Sequence, residues 1–142
     1  LQRDQIRPFL DAFAAAWQRR DVAAVVQSYT DDCEIISPIF GTVSGRSAVE
    51  ASFRDLFAAF TDTRVRVDDV IIDVDGTRAV ALWAVRSTHE GPMFGMPGTG
   101  KKVDVPMVLV LTFRDGRIVR ELRIYDFTRM LLALGIMRAK PV

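Results

Sequence analysis

Ile6, Phe9, Leu10, Phe13 and Trp17 recur at the i, i+3, i+4 and i+7 intervals of a helix that buries one stripe, and Gln and Arg follow them. The spacing predicts a helix over about residues 4–19. Asp21 has the side chain to cap a short second helix carrying Ala24, Val25 and Tyr29, which the segment Thr30-Asp31-Asp32-Cys33 ends, and a brief strand is expected at 33–37. The stretch SPIFGTVSG reads as loop from its Pro and Gly. Ser47, three residues before Glu50, forms a capping box for a helix whose apolar face is Val49, Phe53, Leu56, Phe57 and Phe60. Beyond Thr63 the pattern changes to Val-, Ile- and Leu-rich runs, predicting strands near 64–74, 77–89, 102–114 and 117–126. Asp75-Gly76, the Gly/Pro-rich segment 91–100 and Asp115-Gly116 separate them. Thr128 can cap a last helix that Gly135 closes.

Helices first and an antiparallel meander afterwards give an α+β fold. The expectation is a cone-shaped, strongly curved antiparallel sheet with the helices packed on its concave side and a cavity within. One domain spanning 1–142 is expected, since a chain of 142 residues buries roughly 68–70% of the surface its unfolded form exposes. Nineteen Lys and Arg against eighteen Asp and Glu leave a net charge of +1, too little to act as a footprint for a nucleic-acid backbone. No run of about 18 apolar residues suggests a membrane span. The single cysteine, Cys33, and the opening LQRDQIRPFL, which lacks a basic segment followed by an apolar one, point to a cytoplasmic protein. Val80, Leu82, Ala84, Val108 and Val110 form an apolar patch on the sheet face away from the helices, the expected interface of a homodimer.

Three motifs fail on their chemistry. GMPGTGKK matches the phosphate loop until Lys102 stands where Ser or Thr would hold Mg²⁺, and strand rather than helix comes next. Asp73 and Asp75 imitate the start of a calcium loop that has no carboxylate at its twelfth position. His89-Glu90 imitates half a zinc motif, but the chain has one histidine and Gly91-Pro92 would break the required helix. No metal and no cofactor is expected, so any chemistry must run on acid/base groups.

The segments AWQRRDVAAVVQSYTDDCEI, SGRSAVEASFRDLFAAFTDTRVRV, THEGPMFGMPGTGKKV and DGRIVRELRIYDFTRMLLALG resemble, in that order and spacing, the SnoaL-like polyketide cyclases. These belong to the nuclear transport factor two-like (cystatin-like) superfamily, beside ketosteroid isomerase, scytalone dehydratase and limonene epoxide hydrolase. The most specific parts are the loop from Thr88 to Gly100 and the closing stretch from Asp126 to Gly135. The family commonly has aromatics two and four residues before that aspartate, and here those places hold Ile124 and Leu122. The resemblance implies a cofactor-independent intramolecular aldol-type ring closure on an apolar small molecule, with Asp126 as the acid/base.

Strand pairing from Arg114 opposite Arg117 without a bulge puts Met107, Leu109 and Leu111 on one face with Leu122, Ile124 and Asp126. Asp126 then either ends the strand in water as a helix cap or stands at the cavity mouth as a carboxylate with a raised pKa. Trp83 and His89 share a strand face, and His89 or the Trp83 indole can donate a hydrogen bond to a substrate carbonyl. Trp17, Phe53, Phe57, Trp83, Met107 and Leu109, with Leu122 and Ile124, are the expected pocket wall, enclosing about 300 Å³ or more. Tyr29, Asp31 and Asp32 read as a helix end, and Arg66 with Asp68 as an outer strand. The alternatives are an isomerase, dehydratase or epoxide hydrolase on the same cone, or a non-catalytic binding or interaction module.

Overall fold

A computed structural model describes residues 1–141. A short turn of helix at Arg3–Gln5 leads into α1 (Ile6–Arg19), and α2 (Val22–Val26) comes next with Asp21 Oδ1 accepting from the Ala24 N–H at 3.1 Å. Then come β1 (Tyr29–Ser37), β2 (Gly41–Ser44), α3 (Arg46–Ala59), β3 (Phe60–Ile72), β4 (Arg78–His89), β5 (Lys102–Arg114), β6 (Arg117–Tyr125) and α4 (Phe127–Ala133). The helices were legible from the apolar stripe: α1 buries Ile6, Leu10, Phe13 and Trp17, and α3 buries Val49, Phe53 and Phe57.

Several boundaries differ from the sequence expectation. Tyr29, Asp31 and Asp32 begin β1 instead of closing a helix, and the Pro/Gly stretch folds back as β2 against β1. Gly45 rather than Ser47 stands at the N-cap of α3, at a φ of 87° that glycine adopts without strain. Phe60 opens β3, and Asp126, not Thr128, caps α4.

The sheet runs β2-β1-β6-β5-β4-β3, and all neighbours are antiparallel except β1 and β6, which pair in parallel. Its curvature is built from bulges, each an unpaired residue that bends the strand and shifts the parity of the residues beyond it. In β3 the pairing steps from Val67 opposite Trp83 to Asp69 opposite Leu82, so Val65 and Val67 point inward before the bulge and Val70 and Ile72 after it. In β6 Ile118 pairs with Phe113, but Arg120 pairs with Thr112, which leaves Val119 extra.

The Val119 bulge overturns the expected register. Leu111, Leu109 and Met107 face Glu121, Arg123 and Tyr125, so those three residues point into the cone. Leu122 and Ile124 go to the outer face, and Ile124 is half-exposed. There they extend two apolar rows across the sheet, Ile71–Val80–Val110–Leu122 and Leu82–Val108–Ile124.

The narrow end of the cone is filled. Trp17 packs edge-on against Phe53 and Trp83 with ring centroids 5.3 and 5.6 Å away, and Phe13 joins Tyr29 and Trp83. At the wide end the loop 91–100 and α4 close over the sheet, with Phe94 against Phe127 and with Met130 and Leu134 packed on Val103 and Val105. Gly91 is required there, because a Cβ would lie 2.0 Å from the Ala58 carbonyl oxygen. Phe53→Ala is expected to cost about 3–5 kcal/mol, read as a lower urea midpoint with an unchanged slope.

Candidate functional site

Between the filled narrow end and the wide mouth lies a cavity lined by Trp17, Leu56, Phe57, Phe60, Met107, Arg123, Tyr125 and Met130, among others. Its volume is about 60 Å³, short of the roughly 300 Å³ expected. It is therefore a slot. Trp17, Phe57 and Met107 line it as expected, whereas Phe53, Trp83 and Leu109 pack solidly beneath it and are not in its wall. The enclosed part is narrower than expected because those three side chains fill the base of the cone. Leu122 and Ile124 are on the other side of the sheet.

Against the slot lies a buried polar cluster, of which Arg123 reaches the lining, and which the hydrophobic pattern did not reveal. Arg123 Nε donates to Glu121 Oε2 at 2.7 Å, with the arginine side chain 6% and the glutamate 0% exposed. The Tyr29 hydroxyl donates to both carboxylate oxygens, 3.2 Å from each. The Arg123 guanidinium lies 5.2 Å from the centroids of both Trp17 and Phe53, within cation–π range. Burial is the largest single influence and opposes the Arg123 charge, but Glu121 and Tyr29 together outweigh it and raise the guanidinium above its ordinary value. Burial, and then the neighbouring Glu121 charge, push the Tyr29 phenol well above 10.0. Desolvation likewise raises Tyr125, in the cavity wall, to about 12.

Two donors in this wall have no partner. Arg123 Nη2 and Trp17 Nε1 are both buried without a hydrogen bond. A buried donor left unsatisfied costs about 1–3 kcal/mol, and both belong to residues of the slot lining.

Asp126 is not among these groups. It is exposed, and its Oδ1 accepts from the Arg129 N–H at 2.9 Å as the N-cap of α4. The aspartate lines a separate cavity of about 370 Å³ with Pro106, Arg129 and Ala133, which shares Val103, Val105 and Met130 with the slot, and the bulge at Val119 is the reason it misses the slot itself. His89 is fully buried beside Phe60, ring centroids 5.3 Å apart. His89 Nδ1 lies 3.1 Å from Thr99 Oγ1 and 3.4 Å from the Thr99 backbone nitrogen, and Nε2 is buried without a partner among the described residues. His89 itself is outside the slot lining, although Phe60 and Ser87 beside it are inside. Trp83 Nε1 is buried and unpaired in the packed core. Arg66 and Asp68 form an exposed ion pair on β3.

A family model described as a SnoaL-like domain matches residues 10–121. The chain belongs to the SnoaL-like domain family. Its fold is shared with a provisionally designated polyketide cyclase of Xanthomonas campestris pv. campestris, at TM-score 0.84 and 20% identity over 93% of this chain and 98% of that one. A provisionally designated SnoaL-like polyketide cyclase of Jannaschia sp. CCS1 superposes at TM-score 0.81 with 24% identity, over 94% and 93% of the two chains. TsrD of Streptomyces laurentii does so at 0.82 with 20% identity, over 96% and 99%. No curated protein matches the sequence. At these identities the structures establish the nuclear transport factor two-like fold of this SnoaL-like domain and nothing about its reaction.

Two measurements check the site. Because folding favours the protonated form of Tyr29, the associated stability is fully present below its ordinary pKa of 10.0 and is lost as the pH climbs toward the folded value. In an alkaline ultraviolet titration Tyr125 should ionise near 12 and Tyr29 only with unfolding. Glu121→Ala, which strands a buried cation, should lower stability by about 3–5 kcal/mol. Asp126→Ala should cost only the cap, about 1 kcal/mol.

Proposed function

We propose that this SnoaL-like domain is a cofactor-free enzyme that binds an apolar, carbonyl-bearing small molecule in the slot and closes a ring by an aldol-type step. The observation that carries this reading is the pair of unpartnered donors, Arg123 Nη2 and Trp17 Nε1, in an otherwise apolar wall. A carbonyl oxygen that reaches either donor as the walls part gains a hydrogen bond that strengthens as the oxygen gains charge, which is the requirement for lowering a barrier rather than merely binding. The walls that must part for a ring include Leu56, Met107 and Met130, and methionine re-packs readily.

In the reaction a proton leaves a carbon flanked by two carbonyls, and the enolate carbon forms a bond to a second carbonyl carbon. The resulting alkoxide then takes up a proton, so atoms balance without a co-reactant. Arg123 or Trp17 holds the enolate oxygen. Tyr125, a neutral phenol at ordinary pH, gives its proton to the alkoxide and recovers one from solvent. The proton acceptor is water at the mouth, because Arg123 and Tyr125 are the ionisable groups of the lining and neither is a base near neutrality. Asp126 serves here as the cap of α4, the helix that brings Met130 to the slot. A non-catalytic binding module is the rival reading, and the missing side-chain base is what favours it.

Deuterium exchange at the central carbon of aromatic 1,3-diketones, followed by proton NMR, tests the proposal. The wild type should accelerate exchange, Arg123→Met should lose about 10²–10³-fold of that acceleration, and Asp126→Asn should retain it. Binding without acceleration for every diketone would leave the binding module. A second expectation concerns association. The rows ending at Leu122 and Ile124 leave Ile71, Leu82 and Ile124 exposed, and we propose that this face joins two copies across a two-fold axis. Sedimentation should show a dimer that Ile124→Glu converts to a folded monomer.

A further inference from the structure

We infer that Glu121 is a specificity-determining residue, which cancels the charge of Arg123 so that the slot accepts an uncharged carbonyl and rejects a carboxylate of the same shape. The inference rests on the reading of the slot as a carbonyl site and adds what kind of oxygen it takes. A buried arginine in the lining of an apolar cavity would by itself attract anions. Here, however, its Nε is already spent on the Glu121 carboxylate at 2.7 Å, and both carboxylate oxygens accept from Tyr29. The groups around Glu121 are Arg123 on its own strand and Tyr29 and Cys33 from β1, and burial raises both the Tyr29 phenol and the Cys33 thiol, which keeps them protonated. The cluster therefore sums to zero charge while Arg123 Nη2 keeps a hydrogen-bond donor uncommitted.

A ligand carboxylate entering the slot would bring an uncompensated negative charge into a wall made almost wholly of hydrocarbon, with Glu121 as its like-charged neighbour across the guanidinium. Two donors do not replace its hydration. A ketone or ester oxygen needs no counter-charge and accepts from either donor. Its charge rises only as the enolate forms, at the moment when the guanidinium is most useful. On this arrangement Glu121 never touches the ligand, and it sets selectivity through Arg123.

Isothermal titration of the full chain with acetophenone and with benzoate, two small aromatic probes of matched shape, tests the inference. At about pH 7 the wild type should bind the ketone at least roughly tenfold more tightly, and Glu121→Gln should reverse the order by freeing the Arg123 charge. Should Glu121→Gln fail to fold, the wild type still decides. Benzoate would enter only as the neutral acid, so its apparent affinity should rise about tenfold for each unit the pH falls above the acid's own pKa of about 4, while the ketone stays level. Benzoate binding that equals or exceeds ketone binding, or that is level with pH, overturns the charge selectivity and leaves the carbonyl site standing. A folded Glu121→Gln that keeps the ketone preference does the same. If neither probe binds, the carbonyl site falls and the selectivity with it.

Discussion

An ion pair sealed from water at the centre of a small cone constrains everything around it. The attraction between Glu121 and Arg123 is strong in a low-dielectric interior, yet removing both charges from water costs several kcal/mol per ion. Such a pair survives when most of its remaining polar atoms are satisfied and the geometry is held. Tyr29 occupies both carboxylate oxygens, and the rings of Trp17 and Phe53 face the guanidinium. These supports come from α1, β1 and α3, so the pair ties the helical layer to the sheet at one point.

The same constraint explains where the sequence misleads. In β3 the doubled Asp68-Asp69 interrupts the alternation of Val65, Val67, Val70 and Ile72, so the bulge and the change of parity are written in the hydrophobic pattern. β6 offers no such mark. Its apolar residues Leu122 and Ile124 sit on one parity and Glu121, Arg123 and Tyr125 on the other, so a reading by hydropathy turns the aliphatic pair inward. The structure turns it outward, because Val119 is extra and because a mutually paired Glu and Arg are tolerated inside where a lone one is not. A one-residue shift in a strand exchanges its two faces, which is why a single bulge moved Asp126 out of the cavity along with Leu122 and Ile124. The helices had no comparable weakness, since their apolar stripes contain no buried charge.

Tyr29 illustrates a different limit. Its neighbours Asp31 and Asp32 look like the polar end of a helix, and locally that reading is reasonable. Their partners are distant in sequence: Asp31 pairs with Arg46 and Asp32 with Arg114, so β1 is fixed by contacts that no local pattern carries. The tyrosine hydroxyl reaches a carboxylate 92 residues away. The available hint was a tyrosine one residue before a β-branched residue and ahead of Cys-Glu-Ile-Ile, a stretch with as much strand as turn character.

The position of the polar cluster, at the boundary between filled core and open slot, reflects the demands of each side. Deeper in the cone, among Phe13, Trp83 and Leu109, an arginine would have no route for its last donors to meet any oxygen, and both charges would be a pure loss of stability. Nearer the mouth, water would screen the pair, and the donors would be satisfied before a ligand arrived. At the boundary the carboxylate, the phenol and one guanidinium nitrogen are committed to the fold, while Arg123 Nη2 and Trp17 Nε1, on residues that line the slot, stay unpaired. The cost of leaving them so is borne by the aromatic packing beneath. A site of this kind can therefore be strengthened in stability by giving those two donors an internal acceptor, and doing so would remove the feature that makes the cavity a place for a carbonyl.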